Sequence, residues 1–255
     1  MHRIQLIYDG SFEGFLSAVF LVFERKLTAT NIVSIQQFEP QLFGVEEKVI
    51  SETNKADRVW KGLKQKLPQR NIYQLYSAYL SEQKNIENRL LDYIKTLFNS
   101  EISIATDYSN PSVLKIAQVA KMVGREKHRM EAFVRFKLTK DGIYFSNISP
   151  DFNVLPLISK HFEKRYADQK WIIYDLHRKY GLYYDLNSVS EINLELSEDF
   201  DSSISDSNYF TNEELDFENL WKDYFKSVTI TSRKNKALHE RHVPKRYWKY
   251  LSEKQ

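Results

Sequence analysis

The opening of the chain restricts the fold more than any other feature of the sequence. Residues 3–8 read as a short buried strand, Asp9-Gly10-Ser11 is a turn with Ser11 as the predicted helix N-cap, and residues 12–26 are apolar nearly all round. Further strands are predicted at 31–37 and around 46–51. A strand, a buried helix and returning strands predict a β-α-β opening, which is typical of the α/β and α+β classes.

The middle of the chain has helical periodicity. Residues 54–98 carry apolar stripes at helical spacing, interrupted at Pro68. Asn110-Pro111 predicts the start of another helix, because proline suits the first helical position. We expect this helix to break near Gly124.

The pattern then changes to one that favours strands. Residues 132–137 alternate with period two, and Asp141-Gly142 is a hairpin turn signal. A predicted helix over 153–166 separates this hairpin from a second one, with its turn at Lys179-Tyr180-Gly181. The sequence therefore predicts an α+β protein, in which the β-α-β and helical region is followed by a hairpin-helix-hairpin unit with a four-stranded antiparallel sheet.

Charge divides the C-terminal part of the chain. Of 255 residues with a net charge of +3, those from Ser190 to Tyr224 include eleven acids and one base, whereas those from Val228 onward include eight bases and two acids. We expect a single domain over 1–255 with four sub-regions, at 1–110 (α/β-helical), 111–189 (basic helix and antiparallel sheet), 190–227 (acidic) and 228–255 (basic tail). The contrast indicates intramolecular docking, separate faces for separate partners, or only a solvated loop beside a solvated helix.

Within these last sub-regions, residues 195–212 are rich in Ser, Asp and Asn and are predicted to form a loop. An acidic helix is expected from Asn212 to Phe225. Pro244 should open a last short helix, with Tyr247, Trp248 and Leu251 facing inward.

Composition excludes several kinds of chemistry. The chain has no cysteine, so it offers no disulfide, no thiolate nucleophile and no thiolate ligand for zinc or an iron–sulfur cluster. We expect no metal site and no cofactor; His239 and His242, three residues apart, are the only histidine pair with ligand spacing. No stretch has the length of a membrane span or the pattern of a targeting signal, so we expect a cytoplasmic protein without membrane partners.

A basic helix provides the candidate nucleic-acid contacts. Lys121, Arg125 and Arg129 are spaced i, i+4, i+8 and share one helical face, with Lys127 nearby, while Met122, Val123, Met130 and Phe133 should face the core. Such a face could track phosphates, or it could form structural ion pairs with Glu126 and Glu131. In the tail, Lys245, Arg246 and Lys249 alternate with aromatic residues, which suits either base stacking or simple docking of a short helix.

Four residues are candidates for catalysis. Asp9 and Ser11 lie where a strand ends and a helix begins, where an anion can be held; the alternative is that they only cap the helix. His128 could act as a general base and Glu131 as its acidic partner, although a lone histidine on a helix is more often structural or merely exposed.

Long motifs show a family resemblance. They run over Tyr8–Gly14, Arg58–Leu63, Val123–Phe136, Ser149–Ile158, Arg165–Asp168, Trp171–Asp175 and Pro244–Trp248. Over nearly the whole chain apart from about 190–224, the sequence resembles a bacterial family of probable DNA-metabolism proteins that carries a domain of unknown function.

The resemblance implies a partner and a pathway. In that family the protein is typically encoded beside a radical SAM protein, and in some bacteria the domain is fused to a uracil-DNA-glycosylase-like domain. It therefore implies a DNA-binding accessory protein that works with a radical SAM partner in DNA repair or modification. The alternatives are an enzyme acting on a nucleotide or damaged base, and a non-catalytic scaffold for the partner; whether the chain is an enzyme stays open.

Overall fold

A computed structural model describes residues 4–40, 44–194, 210–211, 240 and 243–251. The chain forms two compact units, Met1–Gly124 and Arg125–Gln255, and the boundary lies within one helix. Among the described residues, none of the helices has both the length and the apolar character needed to cross a bilayer. The predicted loop at 195–212 and the predicted helix from Asn212 to Phe225 lie outside the described residues, apart from Phe210 and Thr211.

The first unit contains a three-stranded parallel sheet in the order β2-β1-β3. The strands are β1 (Ile4–Tyr8), β2 (Thr30–Ser34) and β3 (Val45–Lys48). The predicted β-α-β opening is thus confirmed, since helix α1 (Phe12–Glu24) connects β1 to β2. Its side chains Phe15 and Val19 have no exposed area, so α1 is buried as its apolar sequence predicts.

Four more helices follow in the predicted region: α2 (Thr53–Lys66), α3 (Gln69–Tyr79), α4 (Ile86–Asn99) and α5 (Pro111–Phe133). Helix α5 starts at Pro111, as predicted, and the Asn110 side-chain oxygen accepts from the backbone N–H groups of Ser112 and Val113 at 2.9 and 3.4 Å. The predicted break near Gly124 is wrong, because α5 continues for nine residues beyond it. A glycine costs a helix only about 1 kcal/mol, which the buried contacts of Val123 and Met130 on either side outweigh.

The longer α5 also corrects two expectations about its neighbours. Ala132 and Phe133 are helical, so the predicted strand at 132–137 is reduced to the two residues of β4 (Lys137–Leu138). Met122 is 37% exposed instead of facing the core, whereas Val123 and Met130 are buried as expected. Phe133 is half-buried.

The second unit contains a five-stranded sheet in the order β4-β5-β6-β7-β8. Its remaining elements are β5 (Tyr144–Ile148), α6 (Leu155–Arg165), β6 (Trp171–Asp175), β7 (Tyr180–Tyr184), β8 (Val189–Ile192) and a C-terminal 3-10 helix (Lys245–Tyr250). The first hairpin turns at Gly142, whose φ of 74° requires the left-handed region that glycine adopts readily. The α+β class and the order hairpin, helix, hairpin are confirmed.

The pairing of the two hairpins differs from the prediction. β5 and β6 are parallel, so the sheet is mixed and not antiparallel throughout, and β8 adds a fifth strand. The reason is topological: α6 returns the chain to the starting end of β5 before β6 begins, and a helical crossover joins strands in parallel. Tyr180 and Gly181, expected in a turn, belong to β7, and the turn precedes them.

Two glycines provide a test of this fold. Gly124→Ala should stabilise the protein by about 0.5–1 kcal/mol, because an added Cβ meets no atom within 4 Å and alanine favours a continuous helix. Gly181→Ala should destabilise it by about 1–3 kcal/mol, because the Cβ would lie 2.8 Å from the Ile173 carbonyl oxygen on the neighbouring strand. Urea unfolding of both variants measures the difference. A loss of stability in Gly124→Ala would contradict the continuous helix.

Candidate functional site

In the first unit, polar side chains gather at the carboxyl ends of the three parallel strands. Asp9 follows β1, Gln36 follows β2 and Ser51 follows β3. The Ser51 hydroxyl donates to Asp9 Oδ2 at 2.8 Å, and Gln36 Nε2 donates to the Asp9 carbonyl oxygen at 3.3 Å. The central strand thus ends at Asp9, whose carboxylate is bonded to the loop after β3 and whose backbone carbonyl is bonded to the loop after β2. This is the sheet edge where α/β proteins bind ligands.

The Asp9 carboxylate holds the start of α1. Its Oδ1 accepts from the Ser11 N–H at 2.9 Å and the Ser11 hydroxyl at 2.7 Å, and Ser11 Oγ accepts from the Gly14 N–H at 2.9 Å. The predicted cap by Ser11 is therefore confirmed. Partial burial would raise the pKa of Asp9, but the hydrogen bonds from Ser11 and Ser51 outweigh it and lower that pKa below 3.8. Asp9 is therefore an ionised acceptor with both oxygens engaged.

A buried polar chain lies under this loop. The Tyr79 hydroxyl donates to the Gly10 carbonyl oxygen at 2.6 Å, and the Tyr8 hydroxyl lies 3.1 Å from Oε1 of Glu87. Glu87 is only 4% exposed. Burial raises the pKa of its carboxyl group, and burial also raises the pKa of the Tyr8 and Tyr79 hydroxyls, so both tyrosines remain hydrogen-bond donors near neutral pH.

In the second unit, α5 turns its acids inward, and its cations are divided between these acids and solvent. Glu126 is 1% exposed and the Glu131 side chain 15% exposed, whereas Arg125 is exposed. Lys127 Nζ lies 3.0 Å from Glu131 Oε1, and Arg129 Nη1 lies 3.4 Å from Glu126 Oε2. Two of the predicted nucleic-acid contacts, Lys127 and Arg129, are thus half-buried partners of these acids.

Lys121 and Arg125 are two of the three cations that α5 exposes to solvent, and the third is Lys115 on an earlier turn. Neither Lys121 nor Arg125 forms an ion pair with a residue that the structure describes. In an α-helix, residues four apart lie on the same face one turn apart, so these two cations are neighbours on α5.

Glu126 joins three elements of the second unit. Its carboxylate accepts from the Tyr247 hydroxyl, from Arg246 Nη2 at 3.0 and 3.3 Å, and from the Asp151 backbone N–H at 3.0 Å. Arg246 also pairs with Asp151 Oδ2 at 2.7 Å. Burial and the hydrogen bond to Glu126 raise the pKa of the Tyr247 hydroxyl, so it stays protonated as a donor. The 3-10 helix is therefore docked on α5 by a buried carboxylate.

The three cations of the 3-10 helix consequently differ. Arg246 pairs with the buried carboxylate of Glu126, whereas Lys245 Nζ lies 3.4 Å from Glu240 and the Lys245 side chain is 64% exposed. Lys249 Nζ lies 4.8 Å from the Tyr250 ring centroid. Tyr247 and Leu251 are buried as expected, and Trp248 is half-buried with its Nε1 donating to the Val243 carbonyl oxygen at 2.9 Å.

The histidine candidate lies on the surface of α5. The His128 side chain is 87% exposed, and its Nδ1 is 3.9 Å from Glu131 Oε2. His161 on α6 lies on the other side of the same carboxylate, with Nδ1 3.8 Å from Oε1. Glu131 therefore has three basic neighbours, counting Lys127. Across the described ranges, no group of three or more His, Asp or Glu side chains is arranged to hold a metal ion, and His239 and His242 lie outside those ranges.

A second buried carboxylate supports the segment that carries Asp151. Asp175, at the end of β6, has no exposed area and pairs with Arg178 Nη1 at 2.8 Å. Arg178 in turn donates to the carbonyl oxygens of Pro150 and Asp151, at 3.1 and 3.3 Å. The ends of the parallel strands β5 and β6 are thus linked by an arginine, which positions Asp151 for Arg246.

The sequence matches a family described as a domain of unknown function, DUF4130, over residues 84–253, about two-thirds of the chain. The chain belongs to the DUF4130 family. The match to DUF4130 begins just before α4, so it includes Glu126, Asp151, Arg178, Arg246 and Tyr247. The Asp9 loop lies outside it, as do the motifs at Tyr8–Gly14 and Arg58–Leu63.

Other comparisons add little to the DUF4130 assignment. No protein of curated function matches the chain. A solved structure that it resembles is the pGpG-specific phosphodiesterase PggH from Vibrio cholerae, at 10% sequence identity and a TM-score of 0.31, with 72% of this chain and 81% of that chain covered. A likeness at that TM-score supports no statement about fold or activity.

In the DUF4130 region, the sequence predicted an inward-facing Tyr247 and ion pairs with Glu126, but it gave no signal that these two residues meet. Glu126 and Tyr247 are 121 residues apart, and Glu126 alone looks like an ordinary helix acid. Gln36 and Ser51 in the first unit likewise occur in segments without a motif. A signal was available for Arg178, since it follows Asp175 by three residues in a turn after a buried strand.

Removal of one hydroxyl tests the docking of the 3-10 helix. Tyr247→Phe should lower the free energy of unfolding by about 1–3 kcal/mol, because it removes one of the hydrogen bonds that the buried Glu126 carboxylate accepts. Tyr250→Phe is the matched control: the Tyr250 hydroxyl is buried with no hydrogen-bond partner among the described residues, so its removal should cause no loss of stability. Chemical denaturation measures the free energy of unfolding of both variants. Equal changes in the two would show that the Tyr247 hydroxyl does not stabilise buried Glu126.

The charge of Asp9 is tested by acidification. Asp9→Asn should lower the melting temperature near pH 7, because the lowered pKa means that the folded state prefers the ionised carboxylate. This contribution is present above the unfolded-state pKa and is lost as the pH falls through the lower folded-state pKa. The difference between the wild-type protein and the variant should therefore shrink below about pH 3.8. A difference that is constant with pH would contradict the ionised cap.

Proposed function

We propose that this protein binds DNA as an accessory protein in a repair or modification pathway and works with a radical SAM partner. The observation that supports DNA binding is the charge arrangement of α5. Its acids Glu126 and Glu131 are buried or nearly so, while Lys121 and Arg125 remain exposed without an ion pair to a described residue. Exposed cations on one helical face are suited to phosphate contacts, which supply most sequence-independent affinity for DNA.

The partner is proposed from the family resemblance. The chain has no cysteine, so in this proposal the radical SAM protein supplies the iron–sulfur chemistry. This chain supplies phosphate contacts from α5 and from the exposed Lys245 of the 3-10 helix.

The alternative of an enzyme acting on a nucleotide or damaged base has less support within each unit. Asp9 and Ser11 are bonded to each other and to the start of α1, and His128 Nδ1 lies 3.9 Å from its nearest carboxylate oxygen. A carboxylate that orients a catalytic histidine accepts its N–H at hydrogen-bond distance, which 3.9 Å exceeds. The third possibility, a scaffold, predicts a protein that binds the partner but has no DNA affinity of its own.

The test is the salt dependence of DNA affinity. In Lys121→Ala/Arg125→Ala, the slope of log K against log salt concentration for duplex DNA should fall in magnitude by about 1.8, since each lost phosphate contact removes about 0.9. Fluorescence anisotropy with a labelled duplex at several salt concentrations measures it, with thermal melts to confirm folding. Arg129 is left unchanged because it pairs with buried Glu126.

Lys115→Ala is the control on the same helix. Lys115 is exposed but lies roughly 80–120° around α5 from Lys121 and Arg125, so its loss should leave the slope unchanged. If Lys115→Ala and Arg125→Ala lowered the salt slope equally, α5 would contribute only its overall charge and not a defined set of phosphate contacts. An absence of DNA affinity in the wild-type protein would favour the scaffold function.

A further inference from the structure

The positive charge of the first unit is concentrated in two helices. From Thr53 to Ser81, a range that contains α2 and α3, the chain has six cations and one acid. Residues 1–52 contain four cations and seven acids. This concentration is not used by the contacts proposed for α5, and it lies outside the DUF4130 match.

Helix α2 directs three of these cations to one side. Ala56, Val59 and Leu63 are its buried residues and define its inner face. Arg58, Lys61 and Lys64 follow at intervals of three, within roughly 120° on the opposite side, and all are exposed. None of the three forms an ion pair with a described residue. The outward side of α2 around Arg58, Lys61 and Lys64, here called the α2 face, includes one acid, Asp57.

Aromatic rings border the α2 face on both sides. The Arg58 guanidinium lies 5.1 Å from the ring centroid of Phe20, and Lys64 Nζ lies 5.1 Å from that of Trp60. Phe20 and Trp60 are half-buried, so part of each ring reaches solvent. Trp60 packs edge-on against Phe12 with the ring centroids 5.3 Å apart, which holds its plane in position. A fixed, partly exposed indole beside exposed cations is suited to base stacking together with phosphate contacts.

We infer that the α2 face binds single-stranded DNA, with Arg58, Lys61 and Lys64 on phosphates and Trp60 stacked on a base. Arg58 and Lys64 are six residues apart, about 9 Å along the helix, which spans two to three nucleotides of a strand that rises about 3.4 Å per nucleotide. A half-buried ring can stack only on an unpaired base, so Trp60 favours a single strand over a duplex. The inference rests on the proposed function, since both require DNA binding.

The charge component is tested with Lys61→Ala/Lys64→Ala. The slope of log K against log salt concentration for a labelled single-stranded oligonucleotide should fall in magnitude by about 1.4, at about 0.7 per contact. The matched control is Lys48→Ala/Lys84→Ala, which removes two exposed cations of the same unit outside the α2 face and should leave the slope unchanged. Thermal melts confirm that each variant folds. An unchanged slope in Lys61→Ala/Lys64→Ala would overturn the inference.

The stacking component is tested at Trp60. Trp60→Leu should weaken single-strand affinity about tenfold with an unchanged salt slope, because stacking adds affinity without neutralising a phosphate. Trp60→Phe keeps an aromatic ring against Phe12 and should retain most of that affinity. Duplex affinity should change little in either variant. Loss of duplex and single-strand affinity to the same extent would overturn the stacking role.

A competing polyanion separates DNA from other anionic partners. Dextran sulfate carries charge without bases. Its affinity for the protein should therefore depend on Lys61 and Lys64 but not on Trp60. If single-stranded DNA shows the same pattern as dextran sulfate, the α2 face is a site for an acidic partner of another kind and the inference is wrong. If Lys121→Ala/Arg125→Ala weakens DNA binding while the α2 variants do not, the inference fails and the proposed function stands. If the wild-type protein binds neither duplex nor single strand, both fail.

Discussion

The second unit depends on one buried carboxylate, that of Glu126. A carboxylate with 1% exposure persists in a folded protein only when its oxygens are paired, because removing it from water costs several kcal/mol. Glu126 meets this condition with donors from the 3-10 helix, from the Asp151 backbone and from Arg129. These contacts determine which side of α5 faces inward, and the opposite side, with Arg125, consequently faces solvent. The proposed DNA contact is thus a result of how an acid is buried.

In the first unit, a carboxylate at the end of β1 is likewise held by hydrogen bonds. Asp9 stays near solvent, and its ionised carboxylate is stabilised by hydroxyl and backbone donors from Ser11 and Ser51 in place of cations. Gly14 is needed for this approach, since a Cβ there would lie 2.3 Å from Asp9 Oδ1. The close fit of Asp9, Ser11 and Gly14 explains why these residues occur together in one short motif. It also favours a structural role for that motif.

Local patterns in the sequence predicted the local structure, but they did not predict the contacts between distant parts of the chain. Ser11, Pro111 and Gly142 act through their own backbone neighbourhood, and the cap, the helix start and the hairpin turn are all found where expected. The period of two did not indicate the parallel pairing of β5 and β6, because it is the same in parallel and antiparallel strands; the available signal was the helix predicted between them. Gly124 misled the prediction because its propensity is a local term of about 1 kcal/mol that tertiary packing exceeds.

The candidate site shows the same division. The exposure of Lys121 and Arg125 follows from helical spacing, and so does the pairing of Arg129 with Glu126, three residues before it on α5. The pairing of Arg246 with Glu126 instead requires the chain to return after 120 residues. A cation on a helix face looks the same in sequence whether it meets a phosphate or a buried acid. Three of the seven cations predicted to contact nucleic acid, Lys127, Arg129 and Arg246, are engaged by Glu126 or Glu131.

The two basic faces arise in physically different ways, and this bears on what the proposed protein could recognise. On α5 the positive face exists because acids are buried, so it depends on the fold; α2 has few acids to begin with, so its charge is present in any conformation of that segment. Both faces offer charge to phosphates, and the α2 face adds a ring for stacking. Phosphate contacts position a protein on DNA, and stacking tolerates every base, so neither interaction selects a sequence. In the proposed pathway, the choice of the target base therefore falls to the partner or to the damaged structure of the DNA itself.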